Sequence, residues 1–184
     1  MKGTNMTEQK YKDSTPKIYV ASLASYNAGT HHGFWIDCTL GIDHVHEMIK
    51  MILATCPEKG EEYAIHDTEN FGDLHIKEYQ DLEDVVALAE AIEKHGNPFI
   101  EFFKWNDPAP DEAESKFEDL YVGTYTSDKD FAEEWTEECY SIELSKLPTF
   151  VRSCIDWKQV AEELSYDYEF VRMSYNETYI YRNH

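Results

Sequence analysis

Residues 17–39 read KIYVASLASYNAGTHHGFWIDCT, and this stretch decides the fold class. Residues 17–23 and 33–39 are rich in β-branched and aromatic side chains and predict two strands, joined across a turn at Tyr26-Asn27-Ala28-Gly29. Just downstream, Asp43 predicts a helix start. Val45, Met48, Ile49, Ile52 and Leu53 recur on one helical face until about Cys56, and Pro57 and Gly60 end the element. Residues 61–67 (EEYAIHD) predict a third strand. Three short strands and one helix make a small α+β unit, so the fold class expected is α+β.

Working outward, residues 1–16 are polar and weakly basic and end at Pro16, which predicts a flexible tail. After the α+β unit, Asp81 caps a predicted helix whose apolar face is Leu82, Val85, Val86, Ala89 and Ile92 and which Gly96-Asn97-Pro98 stops. A second apolar helix follows at residues 99–105. Residues 106–114 (NDPAPDEAE) are expected to form an acidic loop and a domain boundary. Ser127 then caps residues 128–140, with Phe131, Trp135 and Cys139 on one side and Asp130, Glu133, Glu134, Glu137 and Glu138 over the rest. Pro148 marks another helix start. Asp156 caps a helix with Trp157, Val160, Ala161 and Leu164 inward, and residues 168–173 and 178–182 predict a closing hairpin.

Charge narrows the function. The 184 residues hold 37 Asp and Glu against 16 Lys and Arg, a net of −21. Residues 58–143 alone carry 26 acids and 6 bases. Nucleic acid and anionic membranes are disfavoured as partners, because both are polyanionic; a basic partner is favoured. The acids alternate with periodic apolar residues, which places carboxylates at fixed positions outside folded helices. Such crowding of like charge opposes folding, and an ordinary surface intersperses lysines. Salt adaptation fits less well, since 13 Lys and 26 aromatic residues are retained. No apolar signal sequence or membrane-spanning run is read: residues 18–36 lack charge but are broken by polar residues, His31 and His32 among them. A cytoplasmic location is expected.

The chemistry-bearing residues give weak patterns. His66-Asp67 could be a base and its orienting carboxylate, yet neighbours on a strand face opposite ways. His44 and His46 lie on different helical faces and lack metal-ligand spacing. Asp67, Glu69, Gly72 and Glu78 partly match a calcium loop, but Phe71 occupies a ligand position and a strand precedes it. Cys38, Cys56, Cys139 and Cys154 form no C-x-x-C pair and read as small core residues. No catalytic residue, metal or cofactor is expected. An enzyme inside an acidic coat, or a general acidic binder of basic proteins, is the competing reading.

Several segments together resemble the ArdA family of antirestriction proteins. They are residues 18–37 (IYVASLASYNAGTHHGFWID, with Leu23, Tyr26, Asn27, Gly29, Gly33 and Trp35), 62–67 (EYAIHD), 117–135 (containing YVGTYTSDKDFAEEW) and 147–164 (LPTFVRSCIDWKQVAEEL). The four blocks occur in order; the N-terminal extension departs from the family pattern. The resemblance implies an inhibitor of type I restriction–modification enzymes, carried on mobile genetic elements, that imitates DNA. It further implies an elongated, curved homodimer whose chain has three small domains, here an N-terminal α+β domain (17–74), a helical middle domain (75–110) and a C-terminal α+β domain (111–184). The partner expected is the DNA-binding groove of the methyltransferase core. The mimic surface is assigned to Glu58, Glu61, Glu62, Glu69, Asp73, Glu78, Asp111, Glu112, Glu114, Glu118, Asp119, Asp128, Asp130, Glu133, Glu134, Glu137, Glu138 and Glu143. The charge suits this role: the 35 acids beyond residue 17 match the phosphates of roughly 17 base pairs, or about 60 Å of duplex.

Overall fold

A computed structural model describes residues 14–141 and 143–183. The described residues are about 50% helical and 21% strand, an α+β fold with two small antiparallel sheets. It divides into two compact units, one running through Ser115 and one from Lys116 onward.

The first unit is built on the deciding stretch. Strand β1 (Lys17–Ser22) buries Ile18 and Val20 completely and lies at the centre of a sheet ordered β2-β1-β3. The residues expected to form a plain turn instead form a five-residue helix, α1 (Leu23–Asn27), ended by Gly29 at φ +76°. Ser25 is the reason: it is fully buried, so the chain coils inward before Gly29 supplies the left-handed step. Strand β2 (Gly33–Asp37) then pairs Tyr19 with Trp35 and Ala21 with Gly33. A Cβ at Gly33 would sit 2.6 Å from Val20 O, so only glycine fits.

Helix α2 (Ile42–Ala54) starts one residue before Asp43, with Gly41 as its N-cap, and buries Val45, Ile49 and Ile52 as the periodicity predicts. Strand β3 is Tyr63–Glu69, displaced by two residues from the expected 61–67. Its partner sets its limits, because Lys17 pairs with Glu69 and Ser22 with Tyr63. The ladder slips between Tyr19 (opposite Asp67) and Val20 (opposite Ile65), which leaves His66 as the extra residue of a bulge. Helix α3 (Leu82–His95) is capped by the Asp81 carboxylate, which accepts from Glu83 N at 2.8 Å. All five predicted face residues are buried, together with Leu88 and Ala91. Helix α4 (Asn97–Asn106) adds Phe99, Ile100 and Phe102 to the core. Phe71, at the would-be calcium-ligand position, is 1% exposed and is core.

Residues 106–114 are not all loop. Helix α5 (Pro110–Leu120) begins inside them, with Pro110 at its first position, where no N–H is needed. Its anchors are Ala113 and Phe117, four residues apart and buried, and with half-buried Leu120 they make a short i, i+4, i+7 apolar stripe among the acids. Strand β4 (Tyr121–Tyr125) follows directly and also escapes the sequence reading, being short and interrupted by Gly123.

In the second unit the closing hairpin, β5 (Tyr168–Ser174) and β6 (Glu177–Arg182), joins β4 in the order β4-β6-β5. Helix α6 (Asp128–Tyr140) is capped by Ser127, whose hydroxyl accepts from Asp130 N. The short helix α7 (Thr149–Arg152) follows Pro148. Helix α8 (Trp157–Leu164) is capped by Asp156 through Gln159 N. Phe131, Ala132, Leu144, Trp157, Ala161, Leu164 and Ile180 form one core. Phe131 meets Tyr125, Tyr168 and Phe170 edge to face, with ring centroids 5.1–5.5 Å apart.

Two of the four cysteines correct the sequence reading. Cys38 and Cys56 are buried, but Cys139 and Cys154 are exposed. The stripe shared by Phe131, Trp135 and Cys139 runs out along α6, whose buried residues are only Phe131 and Ala132. The expected tail lies outside the described residues except for 14–16, which are tied down. Thr15 Oγ1 donates to Asp37 at 2.8 Å, Asn70 Nδ2 donates to Thr15 O, and Cys38 N donates to Pro16 O.

Candidate acidic interaction surface

The acids assigned to the mimic surface all reach solvent. Fifteen of the eighteen are exposed, Glu114, Asp128 and Glu133 are half-buried, and none is buried. In the first unit, Glu58, Glu61 and Glu62 precede β3, Glu69 ends it, and Asp73 and Glu78 follow in the connection to α3. Asp111, Glu112, Glu114, Glu118 and Asp119 stud α5 on either side of the division between units. In the second unit the density is greatest on α6, where Asp128, Asp130, Glu133, Glu134, Glu137 and Glu138 share thirteen residues with one base, Lys129.

That helix shows what the arrangement costs locally. Glu134 stands one turn from Asp130 and from Glu138, and Glu133 one turn from Glu137; each such like-charge pair destabilises a helix by about 0.2–0.5 kcal/mol. Glu137 and Glu138 also sit near the C-terminal end, where the helix dipole favours cations. The field is felt nearby. Burial, and then the charges of Glu134, Glu138 and Asp130, push the Tyr125 hydroxyl above its ordinary pKa. Tyr79 is likewise raised, first by its hydrogen bond with Glu78 and then by burial and the charges of Glu78 and Glu62.

Not every candidate is committed only to solvent. Lys94 pairs with Glu114 at 2.7 Å, Lys104 with Asp73 at 3.3 Å, Lys129 with Glu133 at 3.4 Å and Lys146 with Glu143 at 2.5 Å, and Arg172 pairs with Asp128. Asp130 accepts from Thr126 N and Oγ1 at the start of α6. Glu137 accepts from Leu144 N at 2.7 Å and so holds the chain beyond α6. Glu58 accepts from the Ser25 hydroxyl, which holds its carboxyl below the usual range. Sequence reasoning also passed over exposed acids. Glu83, Glu90 and Glu93 on α3 lie outside the candidate set, as does Asp67. Their signal in the sequence is the complement of the apolar face of α3.

The weaker chemical candidates are dispersed. His66 stacks on Tyr26 with ring centroids 4.4 Å apart, and its Nε2 is buried with no hydrogen-bond partner among the described residues. Asp67 accepts from Thr68 N. His44 is half-buried and His46 exposed on α2. Among the described residues no helix is long and apolar enough to cross a membrane.

A family model for the antirestriction protein ArdA matches residues 18–179. The chain belongs to the ArdA antirestriction family. The match runs from the second residue of β1 into β6 and so takes in both sheets. No curated protein matches the chain. Membership supports an antirestriction function, and the ArdA family is one of inhibitors rather than enzymes. It implies interaction with type I restriction–modification enzymes.

Proposed function

We propose that this ArdA chain inhibits type I restriction–modification enzymes by mimicking DNA. Its carboxylates take the places of backbone phosphates against the Lys and Arg residues of the DNA groove in the methyltransferase core. No bond is made or broken; occupation of the groove is the whole mechanism. The working form in this proposal is a cytoplasmic homodimer with three small domains per chain in a curved, extended arrangement. Mobile genetic elements are its proposed carriers, since they gain from disabling restriction on entry.

The observation that carries the reading is the placement of the eighteen acids, all reaching solvent and twelve of them on helices or strands, with α6 keeping like charges one turn apart. A fold does not need that repulsion, whereas a DNA groove rewards it, because displacing counterions from a dense anionic track drives association. The testing experiment is competition. The chain and a duplex carrying the recognition site are offered together to a type I methyltransferase core. Mutually exclusive binding is expected, and a ternary complex in which both remain bound overturns the proposal.

A further inference from the structure

Cations are scarce in this protein, and their placement in the second unit is uneven. Seven of the 16 Lys and Arg residues lie from Lys116 onward, and Lys129, Lys158 and Arg172 line the same cleft. The cleft has a volume of about 560 Å³, within the range of small-molecule sites. It is walled by the start of α6, one face of α8 and the β5–β6 hairpin. Phe170 provides an apolar wall. Thr178, on the central strand, is only 2% exposed, so what remains of its accessibility opens into the cleft it lines. Its hydroxyl makes no side-chain hydrogen bond among the described residues.

We propose that this cleft binds a small organic anion, with a phosphate or carboxylate head held by Arg172, Lys129 and Lys158 and a flat apolar body against Phe170. The two lysines have only replaceable partners. Lys129 and Lys158 reach Glu133 and Glu162 at 3.4 Å, and their side chains are 63% and 87% exposed. Exposed pairs of this kind contribute little and give way to a better acceptor. The Arg172 guanidinium holds both oxygens of Asp128 through Nε and Nη2 but is itself 70% exposed, and the N–H groups of its other edge are left to receive an anion. Thr178 supplies the buried donor that fixes the head. Size selects the ligand class: a long polyanion leaving the cleft along α6 would meet Asp130 and Glu134, whereas a small anion does not.

The test is an NMR titration of the full-length, ¹⁵N-labelled chain with phenyl phosphate, inorganic phosphate and, as a neutral control, benzyl alcohol. Phenyl phosphate is expected to shift the amides of Lys129, Lys158, Ser174 and Thr178 as one saturating set. Inorganic phosphate should shift the same set more weakly, and benzyl alcohol should leave it unmoved. Arg172→Gln should weaken phenyl phosphate binding about tenfold, the loss of a charge-assisted hydrogen bond. Thr178→Val, equal in shape, should weaken it a few-fold with the remaining spectrum unchanged. Lys158→Gln alters only a solvated side chain and serves as the variant whose fold is safe; it too should weaken binding. Shifts scattered over every lysine-bearing surface, or binding indifferent to all three substitutions, overturn the site.

Discussion

Neutralising the outer surface of α6 separates a surface made for binding from one made for folding, because the two quantities should move in opposite directions. The perturbation is the set Glu133→Gln, Glu134→Gln, Glu137→Gln and Glu138→Gln. Glutamine keeps the size of each side chain, and at position 137 its carbonyl can still accept from Leu144 N. The set removes the repulsions of Glu133 with Glu137, of Glu134 with Glu137 and Glu138, and of Asp130 with Glu133 and Glu134. At about 0.2–0.5 kcal/mol each, less about 0.5 kcal/mol for the lost i,i+4 Lys129–Glu133 pair, the free protein should gain about 0.5–2 kcal/mol. For a small unit this raises the melting temperature by several degrees. Inhibition should fall. Four charge pairs of about 0.2–1 kcal/mol each give a loss of about 1–4 kcal/mol, or roughly fivefold to several hundredfold in affinity for the methyltransferase core. Glu134→Gln alone should cost less than about fivefold. Tyr125 is a local control: once Glu134 and Glu138 are neutral, its hydroxyl should titrate lower, though burial still holds it above the ordinary value. Calorimetry, an inhibition titration and tyrosine-selective NMR read the three effects. If the quadruple variant inhibits at full strength while Tyr125 reports the lost charge, α6 is not part of the inhibitory surface. If melting temperature and inhibition fall together, these carboxylates serve the fold.

Salt should likewise act with opposite signs. Raising it from about 50 to 200 mM should raise the melting temperature by screening like charges, yet weaken the complex steeply as groove counterions are displaced less favourably; a salt-independent affinity contradicts groove occupation. Three of the cysteines should fall into two kinetic classes toward a thiol reagent. Cys139 and Cys154 should react at once, while Cys38 waits for unfolding, since burial and then the charge of Asp37 push its thiol up to about 12. Prompt reaction at Cys38 in the folded protein is the contrary result. Asp37 makes a pH prediction. Partial burial works to raise its pKa, but hydrogen bonds from Thr39 and Thr15 and the charge of Lys17 outweigh this and hold it low. Its contribution is therefore full above the ordinary carboxylate range, near pH 4, and is lost as acid takes the pH down through the lowered value. Asp37→Asn should remove that part of the acid dependence, and an unchanged acid midpoint refutes the assignment.

Much of this protein follows from local chemistry, which a sequence displays directly. The caps at Asp81, Ser127 and Asp156 each act within two or three residues of themselves, and all three form as read. The buried faces of α2, α3 and α8 follow from periodicity, and the solvated acids are the complement of those faces. The four ordered blocks point to the ArdA family, whose model matches residues 18–179. Tertiary structure decided whatever depends on partners distant in the chain. The limits of β3 and the bulge at His66 are set by β1, some 45 residues earlier. Helix α5 starts inside a proline-containing acidic stretch, and only the burial of Ala113 and Phe117 shows that its few apolar residues are used. Cys139 keeps the helical phase of Phe131 yet lies exposed, because phase gives the direction of a side chain and not how far along a helix the neighbouring layer extends. Which acids also hold structure was decided in the same way. Glu137 meets Leu144 N, and Asp128 meets an Arg172 that lies 44 residues away and reaches it only through the β5–β6 hairpin.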